Sequence, residues 1–102
     1  MQLIVINLAF ISCEKTEVEP KEYSVIVTNS YFERIDSVNL STYVLKSIEI
    51  SKSSIEINLN KGNYPFTFIS ASGLGFESTV AIKGLRENLQ IIVNENGEIT
   101  IE

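Results

Sequence analysis

The stretch Ser54-Ile55-Glu56-Ile57-Asn58-Leu59-Asn60, followed by Lys61-Gly62-Asn63 and then Tyr64-Pro65-Phe66-Thr67-Phe68, decides the fold. Polar and apolar residues alternate strictly from 54 to 60, which is the period of a half-buried strand. Lys61-Gly62-Asn63 reads as a turn, with Gly62 able to supply a positive φ. Tyr64, Phe66 and Phe68 then share one parity on the next strand. Tyr64 is suited to lay its ring on a core and keep its hydroxyl at the rim. Pro65 has no amide donor, so this strand lies at an edge or turns that flank to solvent.

The same pattern extends in both directions. Upstream, Tyr23, Val25 and Val27 alternate with Ser24, Ile26 and Thr28, and Asn29-Ser30 marks a turn. Ile35 and then Val38 to Leu40 flank Asp36-Ser37, so the second strand is irregular. Val44, Lys46, Ile48 and Ile50 share a parity, with Lys46 interrupting the apolar face. Downstream, Ala71 to Gly75 is a flexible loop; Phe76, Ser78, Val80 and Ile82 share one parity, and Leu89, Ile91 and Val93 share another. Asn94-Glu95-Asn96-Gly97 is a hairpin turn whose Asn-Gly pair suits positive φ. Glu98-Ile99-Thr100-Ile101-Glu102 then forms an alternating edge strand whose Glu residues discourage further pairing.

Fifteen Ile, eight Val and six Thr against three Ala favour strand over helix. No 3.6-residue stripe of useful length is present. The expected fold is therefore all-β: a small antiparallel β-sandwich of about 7–8 strands over residues 23–102.

A chain of 102 residues holds one domain, and 44% hydrophobic with 21% charged residues is a globular composition. Eight basic residues against thirteen acidic ones give a net charge of −5, which argues against a nucleic-acid partner. There is no His, no Trp, one Cys and a single Asp, so no complete catalytic set is visible. The expectation is a protein that is not an enzyme and holds no cofactor or metal. Gly73-Leu74-Gly75 lacks the third glycine and following helix of a phosphate loop.

Residues Leu3 to Ile11 form an apolar run broken only by Asn7. It is about half the ~20 residues needed to span a bilayer, and matches the apolar core of an export signal. Charged residues crowd 14–22, and Glu14, Glu17, Glu19 and Glu22 read there as a solvated tether in preference to a calcium cage. Phe10-Ile11-Ser12-Cys13 resembles a bacterial lipobox, and the acidic stretch after it resembles the export tether of Bacteroidetes-type lipoproteins. The resemblance implies a signal peptide over 1–12, lipidation at Cys13, a tether over 13–22, and a place in the cell envelope, at the outer membrane or cell surface. A thiolate is the side chain best suited to alkylation. The alternative reading packs 3–11 as a first strand or short core helix, with Cys13 an inert thiol.

The pattern from Ile57 through Gly62-x-Tyr64, Phe66, Phe68, Gly73, Val80, Ile82, Leu89 and Ile91 resembles the carboxypeptidase-regulatory-like or prealbumin-like sandwich; an immunoglobulin-like sandwich reads almost the same. Either implies an accessory or adhesive role. Asp36-Ser37-Val38 resembles the O-glycosylation sequon of Bacteroidetes-type exported proteins, making Ser37 a candidate glycan acceptor; the alternative is an Asx-type turn. Tyr31, Phe32 and Phe76 are candidate binding-loop aromatics. The expected function is a membrane-anchored, non-catalytic binding or accessory module for a protein or glycan. The alternative is a structural component of an envelope assembly that pairs through a strand edge.

Overall fold

The computed structural model describes residues 18–102. The signal and lipidation expectations at 1–12 and Cys13 lie outside the described residues, as does the first part of the tether. Eight strands follow: β1 (Glu22–Asn29), β2 (Ile35–Leu40), β3 (Tyr43–Ile48), β4 (Ile57–Asn60), β5 (Gly62–Ser70), β6 (Gly75–Ile82), β7 (Asn88–Val93) and β8 (Ile99–Ile101). They form two four-stranded sheets, one ordered β4-β1-β7-β8 and the other β3-β2-β5-β6. Every neighbouring pair is antiparallel except β1 and β7, which run parallel from Ser24↔Asn88 to Asn29↔Val93. The all-β sandwich is as expected.

Alternation places the core between the sheets. Tyr23, Val25 and Val27 of β1 and Leu89, Ile91 and Val93 of β7 point inward from one sheet. Val38 and Leu40, Phe66 and Phe68, and Val80 and Ile82 meet them from the other. Tyr64 packs against the rim of this core and donates its hydroxyl to the Asn60 carbonyl at 2.7 Å. Pro65 sits in β5, whose pairing with β2 stops at Leu40↔Phe66. One flank of β5 thus has no neighbouring strand at Pro65, where an amide donor would have nothing to bond.

Three local readings are corrected. Leu45 and Ile48 face the core on β3, whereas Val44, Lys46 and Ile50 are exposed. The cause is a register shift of β2 against β5 between Ile35 and Ser37, with Ser47 at φ 56 opposite it on β3. An extra residue flips side-chain parity, so the buried residues are three apart on both strands. Second, Ile55 is exposed and β4 begins only at Ile57. Residues 49–56 carry the chain from one sheet to the other, bonding irregularly to β1 through Ser51 N–H to the Asn29 carbonyl and Ser54 N–H to the Val27 carbonyl. Third, Gly62 opens β5 without a positive φ, because Lys61 is a corner between sheets and the chain does not reverse within one. In the 94–97 turn, positive φ falls on Gly97 alone.

Candidate binding site at the loop end

The sandwich has two unlike ends. The β1–β2, β5–β6 and β7–β8 loops and the start of the β3–β4 crossing gather at one. The chain entry at 18–21, the 41–42 turn, the corner at Lys61 and the 83–87 loop gather at the other.

Asn29 organises the loop end. It is fully buried, and its Nδ2 donates to the Glu33 and Ile48 carbonyls, each at 2.9 Å. Its Oδ1 accepts from the Tyr31 amide at 2.8 Å. Its own amide donates to the Lys52 carbonyl, so one side chain and its backbone fix the start of β2, the end of β3 and the crossing segment. Among the described residues no buried side-chain polar atom lacks a partner. Ser30 N–H to the Val93 carbonyl and Ala71 N–H to the Arg34 carbonyl join the remaining loops.

Four rings cluster under these loops. Phe68 and Phe76, opposite each other on β5 and β6, stack with centroids 4.7 Å apart. Tyr31 meets both edge-on, at 5.8 and 5.7 Å, and touches Phe32 at 4.4 Å. Tyr31 is only 3% exposed, while Phe32 is 63% exposed. Phe32 is thus the outward ring of a series that runs into the core, and Ile50 and Leu74 are exposed on the adjoining loops.

Polar contacts hold this tip in shape. Glu33 Oε1 accepts from the Ser72 hydroxyl at 2.6 Å and the Ser72 amide at 2.9 Å, locking the β5–β6 loop to the β1–β2 loop. The Ser72 hydroxyl, with help from the Ser70 hydroxyl and the Ser72 amide, holds the Glu33 carboxyl below the usual carboxylate range. Arg34 Nε donates to Asp36 Oδ1 at 2.8 Å, which raises the guanidinium pKa. Asn94 Oδ1 accepts from the Asn96 and Glu98 amides, each at 2.9 Å, and shapes the β7–β8 turn. Around the apolar tip stand Glu33, Asp36, Glu49, Glu95 and Glu98 with Arg34 and Lys52, a net charge of −3 from five carboxylates and two cations. An open cleft of about 530 Å³ beside it runs over the β5–β6 hairpin, lined by Thr67, Phe68, Ile69, Gly75, Phe76 and Glu77.

The structure brings Tyr31, Phe32 and Phe76 together as one cluster, but only Phe32 is presented to solvent. Tyr31 is core and Phe76 is half-buried on Phe68. Ser37 is half-buried within β2, opposite Lys46 on β3 and Ile69 on β5, and Asp36 makes an ion pair with Arg34. Glu33 and Ser72 are organising residues that the sequence pattern leaves unmarked, and Asn29 is marked only as a turn residue; its keeping the inward parity of Tyr23, Val25 and Val27 is the signal for its buried role. Among the described residues no group of three or more His, Cys, Asp or Glu side chains converges as a metal site. The arrangement offers a fixed apolar contact point inside an acidic rim. No protein-family model matches the chain, and a search of curated proteins finds no match to its sequence.

Proposed function

We propose that this protein is an envelope lipoprotein, anchored through Cys13, whose sandwich is a non-catalytic binding or accessory module presenting its loop end to a protein or glycan partner. One observation carries the reading. The chain enters at the end opposite to the Phe32, Ile50 and Leu74 tip, so an N-terminal anchor leaves that tip facing away from the membrane. Aromatic anchors on prearranged loops are the usual centre of such a contact, because little ordering is lost on binding. The strand order supports the prealbumin-like resemblance over the immunoglobulin-like one. In the constant-type immunoglobulin sandwich the first strand lies beside the second, whereas β1 here lies between β4 and β7.

The test is recovery of partners from native membranes with the wild-type chain and with Phe32→Asp. The variant should fold as the wild type does, because Phe32 is exposed, and should lose the partner. Retention of every partner by Phe32→Asp overturns the loop-end site. Intact mass of the native protein reads the Cys13 acyl groups and any glycan on Ser37 in the same experiment.

A second reading has its own observation. β6 is an eight-residue strand at the edge of its sheet, with one flank unpaired among the described residues, carrying Glu77 as its only charge and no Pro. Such an edge can accept a further strand. A chain acting in that way would co-purify in large envelope assemblies and be released by a Pro placed at Thr79.

A further inference from the structure

The entry end holds a feature that the loop-end reading does not use. Lys83-Gly84-Leu85-Arg86 joins β6 to β7, and Leu85 is 59% exposed at its tip. Beneath it lies an open cleft of about 440 Å³, lined by the apolar Leu85, Leu89 and Ile101 together with Lys83, Arg86 and the carboxylate of Glu102. The loop is anchored from two sides. Tyr23 Oη–H donates to the Gly84 carbonyl at 2.6 Å, and the Gly84 amide donates to Glu19 Oε2 at 3.2 Å. Glu19 also takes Lys61 Nζ at 2.7 Å, so the incoming chain is seated directly beside the loop.

We propose that this entry face is a lipid-contacting surface: Leu85 enters the interfacial region of a bilayer while Lys83 and Arg86 meet the phosphates of anionic lipids. An apolar tip between two long cationic side chains is the arrangement an interface favours, since the stems lie along apolar surface and the charges reach the headgroups. Two further observations select a membrane as the occupant. The segment before Val18, which carries Cys13, leaves the domain at this same end. The charges are also unequal between the ends. Among the described residues the entry end carries Lys21, Lys61, Lys83 and Arg86 against Glu19, Glu22, Glu56, Glu87 and Glu102, a net −1, whereas the loop end carries −3. An anionic leaflet therefore repels the loop end more strongly than the entry end, where Lys83 and Arg86 flank the exposed Leu85. The inference rests on the membrane-held reading above and adds a direct contact between the 83–86 loop and the bilayer.

The chain has no Trp, so one introduced Trp reports one place. Full chains carrying Leu85→Trp or Phe32→Trp are reconstituted with phosphatidylglycerol or phosphatidylcholine vesicles containing brominated acyl chains. On phosphatidylglycerol, emission from Leu85→Trp should shift to shorter wavelength and be quenched, while that from Phe32→Trp should do neither. Adding Lys83→Gln and Arg86→Gln to the Leu85→Trp chain should lower the ratio of contacting to free loops about thirtyfold, from about fivefold per cation. Unquenched Leu85→Trp in a chain that sediments with vesicles overturns the lipid face and leaves the membrane-held reading standing. Equal quenching on both lipids overturns the anionic-headgroup contact, and equal quenching of both reporters overturns the orientation. A chain that stays in the supernatant overturns both readings.

Discussion

The two ends of the sandwich are built from the same strands but held by different means. At the loop end the central fixing group is interior, although the outer bonds of Glu33, Arg34 and Asn94 are exposed: the amide side chain of Asn29 is fully buried, and three of the four clustered rings are buried or half-buried. At the entry end most of the fixing bonds are exposed, as between Glu19 and Lys61 or from Tyr64 to the Asn60 carbonyl. Water competes for an exposed bond and makes its net value small, whereas a buried group has no alternative partner and its loss carries the full desolvation cost. The loop end should therefore behave as a rigid platform, and the entry end as a surface that adjusts to what lies against it.

The comparison is broken or sharpened most strongly by Phe68→Ala. It removes the ring that stacks on Phe76 and meets Tyr31 and Phe66, and should cost about 3–5 kcal/mol in urea unfolding. Asn29→Ala should follow. It strands the Tyr31 amide and the Glu33 and Ile48 carbonyls, at about 1–3 kcal/mol for each group that water cannot reach. Gly97→Ala comes next, at about 1–3 kcal/mol. A Cβ there would stand 2.8 Å from Phe76 Cε2, on a residue already at φ 85. At the entry end, Tyr64→Phe removes an exposed hydrogen bond and should stay within about 0.5 kcal/mol of the wild type. If Tyr64→Phe destabilises as much as Asn29→Ala, the two ends are not held differently.

The strands themselves were legible in the sequence because most of them bury one face, and a one-sided face writes a period of two. β1, β5 and β7 are read correctly for this reason, down to the inward Val25, Phe66 and Ile91. The period fails where the backbone inserts a residue. The shift at Asp36 and the positive φ of Ser47 move the core position from Val44 to Leu45; the polar Asp36-Ser37 pair marks the irregularity on β2, but no residue type on β3 announces its consequence there. Ile55 keeps the alternation of β4 yet lies in a segment that is crossing between sheets. The candidate site was legible only in part, for a related reason. Aromatic residues near turns can be found by inspection, but whether a ring points inward depends on contacts between loops that are distant in the chain. Tyr31 is buried because Asn29 curls the β1–β2 loop back over Phe68 and Phe76, and Glu33 meets Ser72 across 39 residues of chain.

The smallest effect separates the ends most finely. Glu33 at the loop end and Glu19 at the entry end both have carboxyl pKa values held below the usual one. Each therefore contributes stability that is fully present above the unfolded value of about 4.3 and is lost as pH falls through the lower folded value. Stability should be level from neutral pH down to about 5 and decline below it, and Glu33→Gln or Glu19→Gln should each remove a part of that decline. The causes differ, and salt distinguishes them. Glu19 is held first by the Lys61 ammonium, with the Gly84 amide second, whereas Glu33 is held first by the Ser72 hydroxyl. In about 1 M salt the screening length falls to about 3 Å, which weakens an exposed ion pair and leaves hydrogen bonds from neutral donors largely intact. Urea unfolding across pH at low and high salt should then show the Glu19 share of the acid decline shrinking while the Glu33 share persists. Equal shrinkage of both would mean that the loop end, like the entry end, is held chiefly by charge.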